Sequence, residues 1–202
     1  MSALLDIVLR AMLLENLALV FLLGMCTYLA VSKRVETAVG LGVAVIAVQS
    51  LTVPLNNAIY QLLLAPGALD WAGLPELDLS FMRLVTFIGV IAASVQILEV
   101  VLDRYAPALH QTLGIYLPLL TVNCAILGGS LFMVQRTYTF PESVAYGFGS
   151  GAGWAIAIVL FAALRERTRH SDVPAGMEGL GLAFVITGLL AFGFAGLSGV
   201  AS

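Results

Sequence analysis

The charged residues of this chain fall in clusters, and between the clusters the sequence runs apolar for roughly 20 residues at a time. Reading from cluster to cluster gives six apolar segments, at about 7–31, 37–63, 82–102, 113–135, 143–164 and 179–200. The interruptions are Lys33-Arg34-Val35-Glu36, then Pro66 to Ser80, Asp103-Arg104, Arg136 to Pro141 and Arg165 to Glu178. Segments of that length match the hydrocarbon core of a bilayer crossed by helices. A transmembrane β-barrel would instead alternate apolar and polar residues in shorter segments, and no such alternation is present. With 9 Lys+Arg and 12 Asp+Glu in 202 residues, the chain lacks the charge to coat a soluble globule. A water-soluble enzyme, a disordered chain and a fibrous chain are all excluded. A net charge of −3 also argues against nucleic acid as a partner, since that requires a basic face. The lipid bilayer is the partner this composition demands.

The expected fold is therefore an all-α integral membrane protein of six transmembrane helices, forming a single domain over residues 1–202. The longest connection holds Trp71, Pro75, Glu76 and Asp78 and reads as a surface lid. The first segment is longer than the apolar run of a signal peptide and contains Glu15 and Asn16, so it is expected to be a retained helix. Loops one, three and five carry Lys33, Arg34, Arg104, Arg165, Arg167 and Arg169, against Arg10, Arg83 and Arg136 elsewhere. The positive-inside rule then places those loops in the cytoplasm and both termini outside.

The chain also matches itself. Leu13, Asn16, Ala18, Ala38, Gly40 and Gly42 fall on Leu120, Asn123, Ala125, Ala145, Gly147 and Gly149 at a constant separation of 107 residues. Two repeats follow, one over about residues 1–105 and the second over about 106–202. Three helices per repeat force the second copy to insert upside down, and inverted repeats place functional sites near the midplane, often at broken helices. Inversion also has a consequence for the two cysteines, Cys26 and Cys124. They are not repeat-equivalent, yet with Asn16 and Asn123 at mirrored depths both sulfurs reach a similar level.

Several residues inside the apolar segments are candidates for chemistry. A free cysteine reads either as a small buried hydrophobe or as half of a metal site; an intramembrane disulfide would be uncommon. Two thiolates complete neither a tetrahedral site nor a [2Fe–2S] cluster, and His110 and His170 both lie in expected loops. A cluster would need two further ligands from another chain. Glu15 is read as part of an ion path or as a carboxylate reaching water or a partner helix near the outer interface. Glu99, four residues before Asp103, is expected to snorkel. Asn56 and Asn57 follow Pro54, whose missing N–H frees a carbonyl that the two amides are expected to satisfy. The run Gly147, Gly149, Gly151 and Gly153 has no preceding strand and no Lys-Ser/Thr, so it is no nucleotide loop. It makes two small-xxx-small rows on one helix, expected to pack on more than one side, with a helix break as the other reading.

At these motifs the sequence resembles a known family. ENLALVFLLGMCTYLAVSKRVETAVGLG (Glu15 to Gly42), LGIYLPLLTVNCAILGGSLFMVQR (Leu113 to Arg136), ESVAYGFGSG (Glu142 to Gly151) and RERTRHSDVPAGMEGLG (Arg165 to Gly181) are similar to the E subunits of the bacterial Na+-translocating NADH:quinone oxidoreductases. The related A subunits of the Rnf complex share the cysteines and the overall pattern. The resemblance implies a member of a six-subunit inner-membrane complex that passes electrons from NADH to quinone and expels Na+. It implies a homologous partner, the D subunit, inserted in the opposite orientation. Each of the two would supply two cysteines to one intramembrane [2Fe–2S] cluster, so that Cys26 and Cys124 are this chain's ligands to its iron. Flavins, NADH and quinone would be bound by other subunits. A stand-alone inverted-repeat transporter, with the cysteines incidental, is the reading from a different class.

Overall fold

The computed structural model describes residues 2–65, 80–105, 117–169 and 179–201, together with residues 107, 111 and 174. All regular structure among them is helical. Helix α1 (Ser2–Leu9) runs into a π-helical turn, Arg10–Leu14, and stops at Glu15. Helix α2 (Met25–Val31) follows after an irregular stretch. Helix α3 (Val35–Ile59) ends in a second π-helical turn, Tyr60–Leu64. Helix α4 is Arg83–Tyr105, preceded by a 3-10 turn at Ser80–Met82. The second half holds α5 (Leu117–Thr121), α6 (Cys124–Gln135), α7 (Phe140–Thr168) and α8 (Leu180–Ala201).

Among the described residues, four stretches are long and apolar enough to cross a membrane: Val35–Leu64, Arg83–Tyr105, Pro118–Gln135 and Phe140–Thr168; Leu180–Gly196 is a shorter apolar helix. The first expected span, 7–31, differs most from its expectation. It is broken into α1 with its π turn and α2, with ten residues of irregular backbone between. The reason is local. Asn16 turns its side-chain oxygen onto the N–H groups of Ala18 (3.0 Å) and Leu19 (3.3 Å), which competes with helix continuation. Leu22 and Gly24 then adopt left-handed φ of 54° and 79°, a conformation no helix can carry through. Such backbone survives at membrane depth only when protein covers it; Asn16 to Leu19 and Gly24 are buried, while Val20, Phe21 and Leu22 between them are exposed. The fourth span is broken too, between α5 and α6 at Val122-Asn123.

The connection from Pro66 to residue 79, with Trp71, Pro75, Glu76 and Asp78, lies outside the described residues, as do His110 and His170.

Helices α3 and α7 form the central pair, and glycines set their distance. A methyl group at Gly147 would lie 2.9 Å from the Gln49 carbonyl oxygen, one at Gly151 3.1 Å from Ile46 Cα, and one at Gly42 3.0 Å from Ala155 Cβ. The alternate row faces elsewhere: methyls at Gly149 and Gly153 would lie 2.8 and 2.7 Å from the carbonyl oxygens of Val8 and Met12. One glycine row thus seats α3 and the other seats α1 with its π turn. The run packs on two sides, and α7 is continuous through it, so the alternative of a break there does not hold. Thr139 and Glu142 start α7 with a capping box, Glu142 Oε2 accepting from the Thr139 N–H (2.9 Å) and hydroxyl (2.8 Å). Trp154, Phe161, Tyr28 and Tyr146 fill the core around this pair, with Tyr28 stacked on Phe161 at a centroid distance of 4.5 Å.

Candidate functional site: two helix starts at the chain breaks

Both breaks restart at an asparagine or glycine, and both restarts carry a cysteine in their first turn. At the second break Asn123 caps α6, its Oδ1 accepting from the Ala125 N–H at 2.9 Å. Ala18 stands to Asn16 as Ala125 stands to Asn123, and the two asparagines make the same bond. Cys124 is the first residue of α6. At the first break Gly24 precedes α2, whose second residue is Cys26.

These two helix starts meet. The Gly24 N–H donates to Cys124 Sγ at 2.8 Å, and Asn123 Nδ2 donates to Thr27 Oγ1 at 3.1 Å. Thr27 in turn donates its hydroxyl to the Gly24 carbonyl (3.0 Å), closing the loop between them. Trp154 Nε1 donates to the Leu23 carbonyl at 3.3 Å. Gly24 is required on two counts. Its φ of 79° is left-handed, and a Cβ there would lie 2.6 Å from Trp154 Nε1 and 2.9 Å from Asn123 Oδ1. The structure thus joins the segments bearing Cys26 and Cys124, which lie 98 residues apart in sequence.

The thiols themselves face outward. Cys26 and Cys124 are both exposed and unbridged, which corrects the reading of them as small buried hydrophobes. Phe21, Leu22 and Val122 beside them are also exposed. Among the described residues no group of three or more His, Cys, Asp or Glu side chains is placed to hold a metal. This chain can offer two sulfurs and no more. Both sulfurs sit in the first turn of a helix, where unpaired N–H groups favour negative charge.

Polar anchors hold the broken segment in place, and sequence reading passed over two of them. Arg136, counted only as a loop charge, forms an ion pair with Glu15, lies 3.3 Å from the Tyr138 hydroxyl and stands 5.6 Å over the Tyr146 ring. Burial opposes the charge on Arg136, but Glu15 and Tyr138 outweigh it and keep the guanidinium protonated above its ordinary range. Glu15 therefore reaches a partner across the fold. Arg165 donates to the Leu29 carbonyl (2.9 Å) and to Ser32 Oγ (3.0 Å), finishing α2. Asn16 Nδ2 donates to the Gly153 carbonyl at 2.7 Å.

The asparagines after Pro54 do not satisfy its freed carbonyl. Asn56 Nδ2 donates to Ser130 Oγ (2.8 Å), while Asn57 Nδ2 donates to the Tyr138 carbonyl (2.8 Å) and approaches Met133 Sδ (2.9 Å). Both amides are spent on α6 and the turn after it. Glu99 is half-buried on α4.

A family model described as "Rnf-Nqr subunit, membrane protein" matches residues 4–201 of the chain. The chain belongs to the Rnf-Nqr family. Its similarity to individual Rnf-Nqr proteins is high and nearly end to end. It is 62% identical to the E subunit of the Na+-translocating NADH-quinone reductase of Nitrosomonas europaea, over 99% of each chain. It is 59% identical to the protein of the same name from Marinobacter nauticus, over 97% of each, and 63% identical to that of Psychromonas ingrahamii, over 96% of each. An Rnf-Nqr membrane subunit with apolar spans and two outward-facing thiols is what the geometry and the comparisons describe together.

Proposed function

We propose that the chain is the E subunit of a Na+-translocating NADH:quinone reductase and supplies half of the ligands to an intramembrane [2Fe–2S] cluster. The observation that carries the reading is the bond from the Gly24 N–H to Cys124 Sγ, which ties the two cysteine-bearing helix starts together while both thiols stay exposed. The donor set fits: thiolates are the ligands such clusters take, and four are needed. The missing two belong to a homologous D subunit in the opposite orientation, docked over the exposed apolar residues Phe21, Leu22 and Val122. A bound cluster supplies one-electron transfer at membrane depth. Cys26 and Cys124 would supply two of its four thiolate ligands, the Gly24 N–H would orient one of them, and apolar neighbours would exclude water.

The same reading makes the fold two inverted three-helix repeats in the bacterial inner membrane, six spans in all, with both termini periplasmic. The bond that Asn16 and Asn123 each make to the N–H two residues on supports the repeat. NADH, flavins and quinone belong to other subunits of a six-subunit complex. An electron arriving at the interface brings negative charge into a low-dielectric region, where leaving it uncompensated is costly. That cost favours uptake of a cation nearby and links electron flow to Na+ export.

The test is Cys26→Ser in the assembled complex. The expected result is loss of the cluster's paramagnetic signal and of NADH-driven quinone reduction, with the complex still assembled. Quinone reduction at the wild-type rate would overturn the reading. Iron and acid-labile sulfide in the purified complex separate it from a stand-alone transporter. The relatives named above favour it over an Rnf A subunit.

A further inference from the structure

Among the described residues, most helical hydroxyls return their proton to the carbonyl one turn back. Ser94 bonds Val90 (2.8 Å), Ser150 bonds Tyr146 (2.7 Å), Ser130 bonds Ile126 (3.3 Å) and Thr187 bonds Ala183 (2.8 Å). Thr52, in the middle of α3, does not. Its Oγ1 is fully buried at 0% exposure and has no hydrogen-bond partner. One turn further on, Asn56 Oδ1 is likewise buried and unpartnered, and so is Gln49 Oε1 one turn before. Positions 49, 52 and 56 share one helix face. Buried polar atoms are otherwise almost always paired, so three on one face form a feature that needs an explanation.

Two serines meet the two amides. Ser150 and Ser130 have spent their protons on backbone carbonyls, so each can only accept from its amide neighbour. Gln49 Nε2 donates to Ser150 Oγ at 2.9 Å and Asn56 Nδ2 donates to Ser130 Oγ at 2.8 Å. In this arrangement each amide's carbonyl oxygen is left over. The face therefore gathers three buried side-chain oxygens that accept no hydrogen bond.

We infer that Thr52 and Asn56 bind a partly dehydrated monovalent cation, with Gln49 extending the oxygen row by one turn. Neutral oxygen ligands suit a hard cation. No Asp or Glu is among the buried residues described, so nothing here balances a second positive charge. The row also lies beside the cysteine-bearing helix. Gln49 Nε2 abuts Gly129, where an added Cβ would lie 2.5 Å from it, and Gly129 is five residues past Cys124, about 7.5 Å along a helix. Sodium as the cation rests on the function proposed above; the oxygen set does not.

The experiment is equilibrium binding of radioactive Na+ to the purified complex, for wild type, Thr52→Val, Thr52→Ser and Cys26→Ser. Valine keeps the shape of threonine and removes its oxygen; serine restores it. Thr52→Val is expected to weaken one bound Na+ by about tenfold or more, the scale of one lost charged hydrogen-bond partner, and Thr52→Ser to restore it. Cys26→Ser touches none of these oxygens and should keep the ion in the oxidised complex. If Thr52→Val assembles and binds Na+ as wild type does, water fills the row and the inference falls. The same binding in Thr52→Val and loss in Cys26→Ser would overturn it as well. The cysteine reading is scored separately, by the cluster signal of Cys26→Ser.

Discussion

Gly24 and Cys124 lie 100 residues apart and meet at 2.8 Å, the backbone N–H of one pointing at the sulfur of the other. That bond needs Gly24 at φ 79°, in a space that Trp154 and Asn123 leave for no side chain. Gly24→Ala is expected to cost about 1–2 kcal/mol for the left-handed backbone alone, with the collision against Trp154 added. In the proposed complex its signature is a lowered midpoint potential or loss of the cluster signal, because a hydrogen bond to a ligand sulfur stabilises the reduced form. An unshifted potential in an assembled Gly24→Ala complex would show the bond to be immaterial.

Asn16 and Asn123 are expected to be alike in kind and unlike in degree. Replacing Asn123 by alanine removes a helix cap worth about 1 kcal/mol, and replacing Asn16 removes the acceptor of the Ala18 and Leu19 N–H groups. Asn16 also donates to the Gly153 and Met12 carbonyls (2.7 and 3.2 Å), whereas Asn123 donates to the Thr27 hydroxyl. Thermal unfolding of the detergent-solubilised complex should therefore fall further for Asn16→Ala than for Asn123→Ala.

The ion pair of Glu15 and Arg136 is less than one-third exposed on either side. Arg136→Gln is expected to destabilise more than Glu15→Gln, since the guanidinium also serves the Tyr138 hydroxyl and the Tyr146 ring. A double-mutant cycle should give a coupling of about 0.5–3 kcal/mol. Additivity of the two single changes would mean that the pair is ornamental.

Glycine substitutions divide by what they face. Gly153→Ala places a methyl 2.7 Å from one backbone oxygen and 2.9 Å from Met12 Cα, so the π turn after α1 must move; the cost is about 1–3 kcal/mol. Gly188→Ala meets nothing within 4 Å and should be neutral or slightly stabilising. Expression and thermal stability of the two variants, side by side, test this.

The class of fold follows from charge spacing alone, and so do the two packing rows of the Gly147–Gly153 run from residue spacing. Both are one-dimensional properties, readable wherever period and composition decide. The breaks were partly readable, because Asn16 and Asn123 already stood out as repeat partners. Their side-chain oxygens, each bonded to the backbone N–H two residues on, explain why an apolar run of sufficient length fails to become one helix. What stayed hidden was every long-range polar contact. Nothing local in Arg136 or Arg165 says that one holds Glu15 and the other ends α2. Nor does Pro54 reveal that its neighbouring amides turn to α6. Those pairings are set by how α3 and α7 nest, which only packing determines.

The stretch from Glu15 to Ser32 meets its polar needs on helices α6 and α7 and the turn between them. Arg136 takes its first carboxylate, the Gly153 carbonyl receives the Asn16 amide, Trp154 covers the Leu23 carbonyl, Asn123 meets Thr27, and Arg165 closes Leu29 and Ser32. In a soluble protein water would do this work for a ten-residue break. Here the C-terminal half is the solvent of the N-terminal one. A fragment ending near residue 105 would enter the bilayer with those groups bare, so the halves should be inherited, inserted and degraded together.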